Sequence, residues 1–409
     1  MRCERTRWDG FRGSGSLTSD YAAATMRGMQ RLRILCVLCF IKTLVFGTVL
    51  LCCPSSSHAK VPSKSVRGAK DFLLVAGGDV AYPRGWMDRL VERQGSKMFD
   101  FVKGYVKAAE LAFVNLESPY TEAEFTLKKK WPIATPPHRL DYILKSGFNL
   151  FSLANNHMGD TGNQGVFDTL KLLKSKSTKK RPLFWSGAGT TRKNAWKPAV
   201  FRVPGKSIKV VFHSFGYARN PLVPTPGKRS VETVRKHQSD GDVTIVSVHH
   251  GLEYRHVPRA ARAKLYRSYI DAGADVVLGH HPHVPQGVEA YKNGIIFHSL
   301  GNFSFASKTK RHHKTGAKLY SIFPLIYFKG GRVERAEILP LYVNNSEHMV
   351  VGDQTLKYTN FKPQVLKGVF AKTVLDALKG WTEAIPDIHD RGRRAFKIAG
   401  DRGIVQVRR

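Results

Sequence analysis

The chain is 409 residues long, 42% hydrophobic and 11% aromatic, a composition that supports one large core or two ordinary ones and excludes a disordered chain. Lys and Arg number 66 against 31 Asp and Glu, a formal net charge of +35. Such a field draws anionic partners at long range but carries no information about fold.

Residues 1–25 show no pattern, and Met26 and Met29 are alternative starts. Basic residues from Arg27 to Arg33 precede an apolar stretch, Ile34 to Cys53, followed by Ser55-Ser-Ser-His-Ala59. This is the layout of a secretory signal: charged, apolar, then small. Residues 1–60 are therefore expected to form a leader, cleaved as a signal peptide or kept as a membrane anchor, since the apolar run is long enough to span. Bulky Leu51 disfavours a lipid anchor on Cys52. All five cysteines (Cys3, Cys36, Cys39, Cys52, Cys53) fall in or before this leader, so the exported body would hold no thiol and no disulfide. Cys36-x-x-Cys39 sits in the apolar run without a second pair and is read as filler rather than half a zinc site.

From Lys70 onward, β-rich runs alternate with helical stretches, which predicts an α/β protein. Strands are expected at Phe72–Ala76, Leu111–Asn115, Leu150–Ala154, Val210–His213, Val243–Val248, Val276–Leu278 and Ile295–His298. Helices are expected at Phe99–Ala109, Leu140–Ser146, Val166–Leu173 and Arg259–Ala272, the last stopped by Gly273. Leu319–Phe328 and Val333–Leu341, joined by Lys329-Gly-Gly-Arg332, predict a β-hairpin, and the tail carries a helix near Val365–Leu378. The basic runs Lys128–Lys130, Lys171–Arg181 and Lys308–Lys314 each read as solvated segments that together form a basic rim. No helix-turn-helix, zinc-finger or RNA-binding signature accompanies them, so no specific nucleic-acid binding is expected.

Polar clusters gather where strands end, the position at which open α/β sheets bind ligands. The first run stops at Gly77-Gly-Asp79, where a sharp turn would place a carboxylate at the sheet edge. The second ends in Asn115-Leu-Glu117, and the third in Asn155-Asn156-His157-Met-Gly-Asp160. Burying three such groups together is costly unless something pairs with them. His249, His281 and His283 complete the set. Alternate residues of an extended segment face one side, so His281 and His283 converge, with Pro282 fixing the backbone between them. For His250, His256 and His280 supporting or surface roles stand level with ligation; His298 is given a core role, and His58, His237, His312 and His313 the surface. A mixed oxygen and imidazole set suits a centre of divalent transition metals, Mn, Fe or Zn, better than a thiolate or an all-oxygen site.

The order Gly78-Asp79-Val80, Asn115-Leu-Glu117, Ala154-Asn-Asn-His157 with Asp160, Gly187-Ala-Gly189, His249-His-Gly-Leu-Glu-Tyr254, Gly279-His-His-Pro-His283 and Ser299-Leu-Gly-Asn-Phe303 closely resembles bacterial capsule and poly-γ-glutamate synthesis proteins of the CapA type. That family is similar to calcineurin-like metallophosphoesterases, so the resemblance implies a four-layer α/β/β/α sandwich. It covers about Asp71 to Phe305 and weakens through the hairpin to Asn345, which sets the expected domain at 70–345 and leaves 346–409 as an extension with a helix. Carried onto this sequence, it implies Asp79, Glu117, Asn156, His249, His281 and His283 as ligands of two metals, with Glu117 as the bridge. It implies His157, with Asp160 beside it, as the acid that protonates a leaving oxygen or as a hydrogen-bond donor to an anion. Asn115, Glu253 and Asn302 would shape the site and orient ligands or substrate. Two departures stand out: Asp79-Val-Ala81 replaces the usual Asp-x-His of metallophosphoesterases, and His250 stands where an aromatic is more usual.

Two functions follow as expectations. One is an extracytoplasmic metal-dependent hydrolase acting on an anionic cell-envelope polymer. The other is a non-catalytic factor that binds the polymer during assembly or export, with a vestigial metal site.

Overall fold

A computed structural model describes residues 61–62, 68–306, 319–343, 347–357 and 359–407. The expected leader, the run Lys308–Lys314 and His58, His312 and His313 lie outside the described residues. Among the described residues no helix is long and apolar enough to cross a membrane.

The first strand, β1 (Phe72–Ala81), decides the architecture. Phe72, Leu74 and Ala76 enter one buried cluster, and Leu73 and Val75 enter another. Because side chains alternate faces along a strand, β1 must belong to a sheet covered on both sides. Beside it run β2 (Leu111–Leu116), β3 (Leu150–Ser152) and β4 (Phe184–Ser186), all parallel. The chain then builds a second sheet from β5 (Ala199–Arg202), β6 (Lys209–Gly216), β7 (Val243–His249), β8 (Val276–His280), β9 (Val288–Tyr291) and β10 (Gly294–Phe297). Its order is β5-β6-β7-β8-β10-β9, with β6, β7, β8 and β10 parallel.

The chain returns to the first sheet with β11 (Asn302–Phe305), parallel to β1, and the hairpin β12 (Tyr320–Lys329) and β13 (Arg332–Tyr342). A separate small hairpin, β14 (Met349–Val351) and β15 (Gln354–Leu356), precedes β16 (Gln364–Val365), β17 (Phe396–Ala399) and β18 (Arg402–Gln406). The last three extend the first sheet to ten strands, in the main order β17-β18-β13-β12-β1-β2-β3-β4. Residues 346–409 thus supply the tail helix, at Gly368–Glu383, and also sheet strands; Leu375 and Leu378 of that helix enter the cluster between the sheets.

Phe72, Leu74, Phe113 and Leu150 of one sheet pack on Phe212, Ile245, Leu278 and Phe297 of the other. Helices Lys103–Ala108, Leu140–Ser146 and Gly162–Lys176 cover the outer face of the first sheet through Val106, Ile143 and Val166. Helices Lys228–His237 and Ala260–Asp271 cover the second through Val234, Tyr266 and Tyr269. The layers are α/β/β/α, as the resemblance implied.

One local expectation changes. β1 does not turn at Gly77-Gly-Asp79 but runs on to Ala81, with its register to β2 shifting between Ala76 and Asp79. The glycine requirement is instead close approach: a Cβ on Gly78 would lie 1.7 Å from the Gly301 carbonyl oxygen. That same oxygen accepts from the Asp79 N–H at 3.1 Å, which seats the carboxylate against β11.

Candidate metal centre

Strand register assembles the site. Asp79 pairs across the ladder with Asn115 on one side and Asn302 on the other, and His249 pairs with His280 in the second sheet. The carboxyl ends of β1, β2 and β3 thereby face those of β7 and β8 across the sandwich. Asp79, Asn115, Glu117, Asn155 and His249 are almost fully buried.

The His249 ring lies at the middle. Its Nδ1 is 3.6 Å from Asp79 Oδ1, 3.2 Å from Asn115 Nδ2 and 2.9 Å from His280 Nδ1. Its Nε2 is 2.8 Å from Asn156 Oδ1, 3.0 Å from His281 Nδ1 and 3.5 Å from Glu117 Oε1. His283 Nε2 stands 3.9 Å from Glu117 Oε1. Two groups, Asp79 with His249 and His280, and Glu117 with His281 and His283, each bring three ligand atoms within 4.8 Å of one another.

Glu117 provides the test of fit. Its side chain is fully buried and neither carboxylate oxygen has a hydrogen-bond partner. Burial first, and then the Asp79 charge, push its carboxyl well above the ordinary carboxylate range. An unpaired buried carboxylate costs several kcal/mol, on the order of 1–3 or more, and a cation among these imidazoles removes that cost. Burial, followed by the surrounding histidines, also holds His249 and His281 well below the usual imidazole pKa, in the neutral form that ligates metals.

His157 and Asp160 form a second cluster at the rim of the first. His157 Nδ1 is 2.8 Å from Asp160 Oδ2, while its Nε2 faces Glu117 Oε1 at 4.0 Å. Lys129 Nζ joins them, 3.0 Å from His157 Nδ1 and 2.5 Å from Asp160 Oδ1. Burial lowers the Lys129 pKa against the pull of Asp160. The sequence reading missed Lys129, because a Lys-Lys-Lys run by itself gives no sign that its middle member turns inward.

The supporting residues fall into place with two changes of geometry. Asn115 donates to Asp79 Oδ1 at 2.8 Å, and Asn302 Oδ1 meets His283 Nδ1 at 2.9 Å, so each holds a candidate ligand in place. Glu253 is exposed and acts on Glu117 by charge. His281 and His283 do not converge through an extended segment: their φ values are +96° and +58°, so the loop coils left-handed at both positions. Such conformations are costly for non-glycine residues and collect at functional sites. His280, open in the sequence between ligation and a supporting or surface role, is fully buried, with Nε2 2.6 Å from Ser247 Oγ and Nδ1 turned to the centre. His298 is a core residue as expected, stacked on Tyr266 and 3.2 Å from Glu289.

The family described as bacterial capsule synthesis protein PGA_cap matches residues 73–307, more than half of the chain. The chain belongs to this family. All the candidate residues from Asp79 to Asn302 lie inside the matched region, and the tail strands lie outside it. Within the family it is similar to the capsule biosynthesis protein CapA of Bacillus anthracis, 30% identical over 270 residues, 61% of this chain and 63% of that one. It is also similar to the PGA biosynthesis protein CapA of Bacillus subtilis (strain 168), 27% identical over 312 residues, 73% of this chain and 79% of that one. A probable polyglutamine synthesis accessory protein of Mycobacterium tuberculosis is 27% identical over 216 residues, 48% of this chain and 55% of that one. The match thus spans less than two thirds of the B. anthracis protein's length.

Proposed function

We propose that this PGA_cap protein is an extracytoplasmic, metal-dependent hydrolase acting on an anionic cell-envelope polymer of the capsule or poly-γ-glutamate class. One observation carries the reading: Glu117, buried and unpaired, is approached by ring nitrogens of His249, His283 and His157 at 3.5–4.0 Å. Asp79, Glu117, Asn156, His249, His281 and His283 would hold the ions, and His280 is placed to join Asp79 and His249. Divalent ions would supply Lewis acidity and an activated water at neutral pH.

The chain's own residues do the rest. Asn115 fixes the Asp79 carboxylate and Asn302 the His283 ring. Asp160 accepts from His157 Nδ1, so in the neutral ring Nε2 turns its lone pair toward the centre; a proton taken up there, with Asp160 holding the imidazolium, would be the one passed to the leaving oxygen. Lys129 places a cation beside the pair, where negative charge would build. The net charge of +35 draws a polyanion to the surface, and the leader would carry the domain to the envelope.

Elemental analysis with a phosphodiester assay tests this reading. The wild type should hold about one to two transition-metal ions per chain and cleave an artificial phosphodiester. His281→Ala should lose metal and activity together; equal metal content in both proteins would remove the central inference. The non-catalytic reading draws on buried Ala81, where a metallophosphoesterase would place an imidazole. It predicts salt-sensitive polymer binding that His157→Ala leaves untouched, with no hydrolysis by the wild type.

A further inference from the structure

Beside the metal centre lies a cavity of about 240 Å³, lined by His250, Leu252, Arg255, Val257, Arg259 and Arg262 among others. Arg262 is only 5% exposed. Its guanidinium donates to the His250 carbonyl at 2.6 Å and to Gln286 Oε1, both neutral acceptors. Among the described residues no carboxylate forms an ion pair with it, although a buried guanidinium ordinarily has one. Burial lowers its pKa against the opposing pull of Tyr266.

Three further features agree. Arg262 sits in the first turn of the helix Ala260–Asp271, which has no acidic residue there and no side-chain cap, so the helix's positive end is uncompensated. His250 Nδ1 is buried with no hydrogen-bond partner. The loop joining the cavity to the centre is packed on the guanidinium itself: a Cβ on Gly251 would lie 2.0 Å from Arg262 Nη1 and 3.3 Å from Cγ of Pro282, between His281 and His283.

We propose that this cavity is a carboxylate subsite, which holds one acidic side arm of the polymer while the neighbouring bond lies at the metal centre. The inference rests on the polymer reading above. Leu252, Val257 and Ala261 give it an apolar wall for a short aliphatic arm, and Arg262 with Arg255 and Arg259 receives the charge at the end.

The test is binding of γ-linked triglutamate to the full-length, metal-loaded protein in about 1 M salt, where a Debye length of about 3 Å screens exposed lysines. Arg262→Gln should weaken binding at least tenfold. Ala261→Glu, an exposed position in the first helical turn, should fold and abolish binding by supplying the missing carboxylate, and it decides the matter if Arg262→Gln is unstable. Wild-type affinity in the variants, or no triglutamate binding by the wild type, overturns the subsite. Glutarate binding as tightly as triglutamate overturns the polymer arm as its occupant. Loss of cleavage and metal in the wild type would instead strike the hydrolase reading, so the two failures are separable.

Discussion

At the scale of single residues, the buried charges are the most informative groups. Glu117 is a liability without a cation, so Glu117→Gln should stabilise the metal-free protein by about 2 kcal/mol while removing the rise in melting temperature that added Mn or Zn is expected to give the wild type. A melt with and without metal checks both halves; a variant less stable than the metal-free wild type would contradict the account. His213 is a simpler case outside the centre. Burial, and then His237, lower its pKa to about 3, and its Nε2 has no hydrogen-bond partner. The folded chain keeps this ring neutral while the unfolded chain takes up a proton below its usual value, so its contribution is present above pH 6.5 and lost as pH falls toward 3. His213→Phe should therefore flatten the acid limb, losing about 2 kcal/mol less than the wild type between pH 6.5 and 5 in urea titrations. Most residues of the centre were legible because polar side chains at the ends of apolar runs have no other inexpensive explanation. Lys129 was not, since burial of one lysine in three depends on where Asp160 comes to rest.

At the scale of elements, strand ends were placed well where an apolar run was long and bounded by glycine or a polar cluster. The inner strands β2, β7 and β8 and the hairpin β12–β13 are of that kind, whereas β1 runs on past its expected end at Ala76 to Ala81. The short strands β4, β5, β17 and β18 escaped because three to five residues, several of them charged or glycine in β18, hold no periodicity to detect. The convergence of His281 and His283 was anticipated for a reason the backbone does not support, since left-handed turns rather than pleating aim the two rings. Gly78 gives the sharpest prediction here. Gly78→Ala must push β1 away from β11, so we expect a loss of at least about 2–3 kcal/mol together with weakened metal binding through Asp79. Calorimetry and metal titration on the same sample check it; a wild-type melting temperature would show that β11 can yield.

At the scale of the whole molecule, the tail is structural. β18 pairs with β13, and Leu375, Leu378, Phe396 and Val405 fill the cluster between the sheets. Trp381 stacks on His256 at 3.8 Å, within the loop that follows His249. Truncation after residue 345 would bare the long edge of β13 and open the inter-sheet core, so the shortened chain should aggregate or melt well below the full one. Size-exclusion chromatography and a thermal scan check this, and a soluble monomer of unchanged stability would refute it. Nothing in the composition of residues 346–409 announced this, because their apolar share is close to that of the whole chain and the partners they find lie far away in sequence.

The candidate ligand set is divided between the two sheets: Asp79, Glu117 and Asn156 lie in or just after strands of one, His249, His281 and His283 in or just after strands of the other. If these residues hold the ions as proposed, neither sheet alone presents the whole set, and complete loading would wait until the sandwich has closed. The compartment in which the chain closes then becomes the chooser, since affinity order alone does not select among such metals. On the proposed reading, a protein refolded in zinc and one matured in manganese would leave the same gene with different ions at the centre.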